Sequence, residues 1–248
     1  MPLFFTSPEN IDEKKKTIMI SGKEAKHITK SLRYKENEEI LISDGIEKKY
    51  IAKIEIIDKD IIKCKIIHYY DTPLKTSPLR IILAQALLKN NKMDFVMQKA
   101  TELGISEIIP FISSRTIPLI QQKSADKKRE RWQKIAFEAS KQSERIHVPD
   151  IHPIIQFQEL IRQTVTYDLP LIFWEYENAN TLKKVLKKNT KSSKIIYLIG
   201  PEGGFSKEEI ESAKKANIIS ASLGKHVVRS ETAAIFAMSI FNYHYLSN

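Results

Sequence analysis

Residues 194–210 read KIIYLIGPEGGFSKEEI, a buried strand, a glycine turn and a capped helix in immediate succession. Ile195, Ile196, Leu198 and Ile199 make the short apolar run that a strand covered on both faces needs, and Gly200-Pro201-Glu202-Gly203-Gly204 cannot extend it. The chain must turn there. Ser206 followed three residues later by Glu209 is a capping box, so the spacing predicts a helix from Lys207 with Ile210 and Ala213 facing inward. Strand, glycine turn and helix N-terminus form a ligand-binding corner, because glycines admit a ligand to the backbone and the first helical turn offers free N–H donors. The turn has neither the G-x-x-x-x-G-K-[ST] spacing of a P-loop nor the G-x-G-x-x-G of a dinucleotide fold. Taken alone, it reads as structural more readily than functional.

The next stretch, ISASLGKHVVRSETAAIFAMSIF from Ile219 to Phe241, begins as another strand, turns at Leu223-Gly224 and ends in a long helix. Ala233, Ala234, Ile235, Phe236, Ala237, Met238, Ile240 and Phe241 leave that helix almost no polar face, so it must be covered all round, by its own domain or by a second subunit. Arg229, Ser230, Glu231 and Thr232 crowd its first turn. They are either a solvated N-terminus with a Ser or Thr cap or part of a site.

Upstream, strands and helices alternate from Ile81 onward, which argues for a parallel sheet with crossover helices. Five strands are expected, at 81–88, 105–111, 169–174, 194–199 and 219–223. Met93, Val96, Met97, Ala100 and Leu103 form a helical stripe closed by Gly104, and Asp126–Arg145 reads as a basic amphipathic helix with Trp132, Ile135, Ala136 and Ala139 inward. Ligands of open α/β sheets bind beyond the strand C-terminal ends. The loops at Glu175, Gly200–Gly204 and Leu223–Val228 are therefore expected to converge.

Residues 1–70 read as a small β-rich domain, residues 71–80 (DTPLKTSPLR) as a proline-bearing linker, and residues 81–248 as the α/β domain. In the first domain, Ser21-Gly22-Lys23-Glu24 has capping-box spacing and precedes a stripe of Ala25, Ile28 and Leu32. Asp44-Gly45 joins two strand-like runs as a type I′ hairpin would.

With 248 residues and 42% hydrophobic content, the chain has enough apolar material for a real core. Its net charge of +10 suits a polyanionic partner such as nucleic acid; the alternative is simple lysine enrichment, visible in runs such as Lys183–Lys188. The single cysteine, Cys64, rules out an internal disulfide and any multi-cysteine metal or iron–sulfur site. No apolar run is long enough to span a membrane, and the opening MPLFFTSPEN lacks the regions of a signal peptide, so a cytoplasmic location is expected.

IGPEGGFS followed about twenty residues later by SLGKHVVRSETAA resembles the C-terminal signature of the SPOUT RNA methyltransferases, in particular the ribosomal RNA small subunit methyltransferase E family. MQKATELGISEIIPFISSRT (Met97–Thr116), RWQKIAFEASKQSER (Arg131–Arg145) and the opening MPLFF resemble the same family in the same order. The resemblance implies a parallel sheet with a C-terminal trefoil knot, preceded by a PUA-like RNA-binding domain, and a homodimer. It implies methylation of N3 of a uridine in 16S ribosomal RNA, conventionally numbered 1498, with S-adenosylmethionine as donor, no metal, and the 30S subunit as the substrate's setting. Nearer and more distant alternatives are a related methyltransferase acting on tRNA or 23S RNA, or a relative that binds RNA without catalysis.

Carried onto this chain, the resemblance implies cofactor contacts from Glu175, Ile199, Gly200, Pro201, Glu202, Gly203, Gly204, Leu223, Gly224 and Val228. Arg229 is the candidate for stabilising charge on the uracil carbonyls, with Glu231 as its orienting partner or as proton acceptor. Lys26, Lys30, Arg33 and Arg145 are the candidate RNA contacts. Leu3 stands where the family usually carries arginine, as does His226.

Overall fold

The computed structural model describes residues 2–46, 48–71, 79–117 and 122–246. By contacts the chain divides into two units, Met1–Ser77 with Ser140–Val148, and Pro78–Ala139 with Pro149–Asn248. Most of the segment read as a linker lies outside the described residues.

The first unit is built on six strands: β1 (Leu3–Phe5), β2 (Ile11–Asp12), β3 (Thr17–Ser21), β4 (Glu39–Ser43), β5 (Lys48–Asp58) and β6 (Ile61–Asp71). They run in the order β1-β4-β5-β6-β3-β2; β1 joins β4 in parallel and the other pairs are antiparallel. Alternation sorts the faces, as in β3, where Ile18 and Ile20 are buried and Met19 between them is exposed. Cys64 lies in this core, where burial pushes its thiol up to about 12, too high for a thiolate nucleophile at neutral pH.

Three local expectations fail in this unit. The 21–24 capping box does not form: Ser21 makes no side-chain cap, and Glu24 is drawn away to the Phe5 N–H and the Lys141 ammonium. Helix α1 (Gly22–Lys26) then widens into a π turn at His27–Ser31, which rotates Leu32 out of the stripe and leaves it exposed. The Asp44-Gly45 turn is not type I′. Of the two residues Asp44 and Gly45, only Gly45 has positive φ, and the Asp44 carboxylate instead accepts the Ile46 and Lys48 N–H groups.

The second unit carries β7 (Arg80–Ala86), β8 (Glu107–Ile112), β9 (Asp150–Ile151), β10 (Ile155–Gln156), β11 (Leu169–Phe173), β12 (Lys194–Ile199) and β13 (Ile219–Ala221). Every pairing is parallel, in the order β10-β8-β7-β12-β11-β13, with β9 also on β8. The five expected strands are all present; β9 and β10, two residues each, are too short to leave a periodicity. Helices α2 (Lys92–Glu102), α3 (Gln122–Gln142), α4 (Phe157–Gln163), α5 (Leu182–Lys188), α6 (Lys207–Lys215) and α7 (Ser230–Leu246) complete the chain. Helix α3 ends at Gln142 rather than Arg145, and the residues after it turn through Glu144 at positive φ.

Strand β12 lies between β7 and β11 and is buried from Ile195 to Ile199, which is why its apolar run is unbroken. Tyr197 on it donates to the Ala234 carbonyl at 3.1 Å, tying the sheet to α7. Ala234, Ala237, Met238 and Phe241 of α7 are buried, whereas Phe236 (43%) and Tyr243 (79%) remain exposed. The unit thus covers one side of this apolar helix and leaves the other open.

Candidate active site

The geometry of the site begins where β12 ends. The Gly200–Gly204 turn reverses on a Gly204 N–H to Pro201 carbonyl bond of 2.9 Å, with Gly204 at φ +67. The capping box of α6 follows as expected: Ser206 Oγ accepts the Glu209 N–H, and Glu209 Oε2 accepts the Ser206 N–H. Glu209 does more than cap. It is buried and also accepts from the Ser114 N–H and the hydroxyls of Ser113 and Ser114, binding the loop after β8 to the start of α6.

The loops after β11, β12 and β13 converge, as the parallel order requires, because β11 and β12 are neighbours and β13 adds beside β11. They enclose a cavity of about 530 Å³ with an apolar floor that includes Phe173, Ile199 and Phe205. That volume lies within the usual range for small-molecule sites, roughly 300–1,000 Å³. Of the residues expected to hold a cofactor, Glu175, Ile199, Gly200, Pro201, Glu202, Gly204, Leu223, Gly224 and Val228 line it. Gly203 does not; its carbonyl accepts from Arg115 at 2.8 Å on the other side of the turn.

Arg229 lines the cavity and is exposed, and among the described residues no carboxylate comes within ion-pair distance of it. Glu231 takes a different partner from the one expected: Lys92 Nζ stands 3.6 Å from it and 3.1 Å from Glu202. Glu202 also accepts the Lys89 N–H at 3.1 Å. Burial works to raise the Glu202 carboxyl, but hydrogen bonds from its own amide, the Lys89 amide and the Lys92 ammonium prevail and hold it below its ordinary value. Ser230 is no helix cap; its hydroxyl donates to the Gly200 carbonyl at 2.5 Å and accepts from Gln85.

Lys92 was not anticipated as a cavity residue, nor were Trp174 and Phe205. The rule that ligands sit beyond strand C-terminal ends, applied to the first strand at 81–88 as well as to the last three, leads to Lys89–Lys92. Trp174 and Phe205 carry no comparable signal, since aromatic residues at strand ends are ordinarily core.

The candidate RNA contacts fall in the first unit. Lys26, Lys30 and Arg33 are exposed on and after α1, with Lys26 paired to Asp60 at 2.9 Å and Arg33 at φ +60. Arg145 is half-buried beyond the end of α3; burial pushes its guanidinium down to about 10, so it keeps its charge at neutral pH. Among the described residues no group of three or more His, Cys, Asp or Glu side chains is placed to hold a metal ion, and no helix is long and apolar enough to cross a membrane.

A family model described as an RNA methyltransferase domain matches residues 75–242, and one described as an RNA methyltransferase PUA domain matches residues 20–67. The chain is 31% identical over 237 residues to ribosomal RNA small subunit methyltransferase E of Bacillus subtilis, covering 93% of this chain and 91% of that protein. It is similar to a crystal structure of ribosomal RNA small subunit methyltransferase E from Neisseria gonorrhoeae bound to S-adenosyl methionine. Identity there is 33% and the TM-score 0.86, over 98% of this chain and 97% of that one. A methyltransferase structure from Legionella pneumophila, in complex with the bound cofactor SAM, matches with 29% identity and a TM-score of 0.85, over 98% and 97% of the two chains.

Proposed function

The chain belongs to the RNA methyltransferase family, and from that premise we propose that it transfers a methyl group from S-adenosylmethionine to N3 of a uridine in 16S ribosomal RNA. The observation that carries the proposal is the convergence of three strand-end loops on one cavity lined by a guanidinium, Arg229, that has no ion-pair partner among the described residues.

The residues present fit the cofactor. Gly204 leaves a cradle in the cavity wall that a Cβ would fill, since that atom would lie 2.5 Å from Glu175 Oε1. Phe173, Ile199 and Phe205 offer apolar surface, while the exposed Glu175 carboxylate offers negative charge toward a cationic ligand. When bound, S-adenosylmethionine supplies an electrophilic methyl group on a sulfonium centre.

The chain's own residues then have to align the acceptor and manage charge. Uridine N3 bears a proton between two carbonyls, and removing it spreads negative charge onto their oxygens. Arg229 meets that charge with a planar, permanently ionised fork of donors. Glu231 does not line the cavity and is paired with Lys92 rather than with Arg229, so its part is to hold Lys92 at the cavity wall. Lys26, Lys30, Arg33 and Arg145 hold the RNA through phosphates, which sets affinity and register rather than base choice.

The reading includes a homodimer, supported by the uncovered side of α7 with Phe236 and Tyr243 exposed. It also includes the C-terminal trefoil knot, a cytoplasmic location and the 30S subunit as the setting of the substrate.

The test is incubation of the protein with S-adenosylmethionine and unmodified 30S subunits, followed by nucleoside mass spectrometry and mapping. A 3-methyluridine in 16S RNA is expected. Methyl incorporation into tRNA or 23S RNA instead would overturn the substrate. Arg229→Ala should lower the single-turnover rate about 100-fold or more with both substrates saturating; an unchanged rate removes Arg229 from the mechanism.

A further inference from the structure

From Ile81 in β7 to Leu88 just beyond its end, the chain is apolar except at one position, Gln85. The strand lies between β8 and β12, and Gln85 is fully buried. A polar amide there breaks the pattern that every neighbouring residue keeps. Among the described residues its Oε1 is buried with no hydrogen-bond partner, a costly state that leucine or methionine would avoid.

The other end of the amide shows what it does. The Ala86 carbonyl can only accept, so the Gln85 atom 3.0 Å from it is Nε2. The same Nε2 lies 3.1 Å from Ser230 Oγ. An amide NH₂ only donates, so Ser230 Oγ accepts there, and its single proton is committed to the Gly200 carbonyl at 2.5 Å. Ser230 opens α7, Gly200 opens the glycine turn, and both line the cavity, whereas Gln85 does not.

We infer that Gln85 is a positioning residue of the cofactor cavity, orienting the Ser230 hydroxyl so that the exit of β12 is pinned to the start of α7. The inference rests on the proposed function in that the cavity takes S-adenosylmethionine. With Gln85 in place, the hydroxyl has one orientation and the two walls one spacing. Without it, the hydroxyl is free to rotate and the turn at Pro201–Gly204 loses its anchor.

The experiment compares wild type with Gln85→Leu, Ser230→Ala, the double variant and Ser230→Thr. S-adenosylmethionine binding is measured by calorimetry, thermal stability by calorimetric melting, and amide hydrogen exchange at Gly204 by NMR. Gln85→Leu and Ser230→Ala should each weaken binding about tenfold, and the double variant should be no weaker than either. Ser230→Thr, which keeps the hydroxyl, should bind within about threefold of wild type. The Gly204 amide, bonded to Pro201 at 2.9 Å, should exchange faster in both single variants.

Lower melting temperatures with wild-type affinity and exchange would mean a merely structural role and overturn the inference. Additive losses, about a hundredfold in the double variant, would overturn it as well. If Gln85→Leu does not fold, Ser230→Ala carries the test, and wild-type affinity in that variant sinks the idea. Should the wild-type protein bind no S-adenosylmethionine, the proposed function fails; Gly204 exchange then decides the positioning role alone, and unchanged exchange in the variants refutes it.

Discussion

The carboxylate of Glu175 is seated on the backbone of Gly204, so close that a Cβ on that glycine would stand 2.5 Å from Oε1. The glycine also holds φ at +67, a region side chains disfavour by about 1 kcal/mol. Glu175 is exposed and can swing aside, so Gly204→Ala is expected to fold. It should lower the melting temperature by only about 2–4 °C and weaken S-adenosylmethionine binding about tenfold, read by calorimetry.

Gly200 is tight for another reason. A Cβ there would lie 3.1 Å from the Phe205 ring and 3.3 Å from the Gly204 carbonyl carbon. Phe205 is buried and stacked on Phe111 with centroids 6.2 Å apart, so it has no room to retreat. Gly200→Ala should cost about 2 kcal/mol by overpacking, and its melting temperature should fall below that of Gly204→Ala. The reverse order would show that the turn, not the core, yields.

Glu209 joins the loop after β8 to the first turn of α6 through bonds to Ser113, Ser114 and Ser206. Glu209→Ala removes the N3 half of the capping box and strands buried donors. A loss of about 3 kcal/mol is expected in denaturant unfolding. A loss below about 1 kcal/mol would mean that water replaces the carboxylate readily.

Glu107 gives the chain an acid-sensitive point. The His152 ring at 2.7 Å is the first cause holding its carboxyl below the ordinary value of 4.5; Arg80 adds to this, and burial opposes both. A depressed carboxylate contributes stability above its unfolded value and loses it as pH falls through the folded one. Stability should therefore decline as pH drops below 4.5. Glu107→Gln should be less stable at neutral pH yet show a shallower decline in acid, measured as urea midpoints against pH. Parallel curves for the two proteins would remove Glu107 from the acid response.

Arg33 follows the π turn with its side chain exposed. If it meets a phosphate, Arg33→Ala should weaken RNA binding and reduce the slope of log affinity against log salt by about 1. Weakening without a change of slope would point to a base contact or to altered local backbone, since Arg33 sits at φ +60.

Much of the catalytic unit is legible along the chain because its signals are local. Ser206 and Glu209 are three residues apart and cap one helix, and Gly104 ends α2 with the positive φ that glycine supplies. The readings that failed were also local ones, defeated by distant partners at Glu24 and Glu231 and by a competing local bond at Asp44. Glu24 had the right spacing to cap α1 but met Lys141, 117 positions away. Asp44-Gly45 matched a hairpin dipeptide, yet the aspartate side chain instead accepts two nearby backbone N–H groups. Glu231 stood beside Arg229 in the chain and paired instead with Lys92 on another helix.

From the sequence by itself came the five main strands, the capped corner at 194–210 and the three loops that had to meet, since apolar periodicity and turn chemistry act over a few residues. Only the tertiary structure decided that β12 lies between β7 and β11, and with it the company each charged group keeps. Strand order sets which loops touch, and pairing between charges depends on distance in space. No spacing along the chain encodes the 3.1 Å between Lys92 and Glu202 or the hydrogen bond from Gln85 to Ser230.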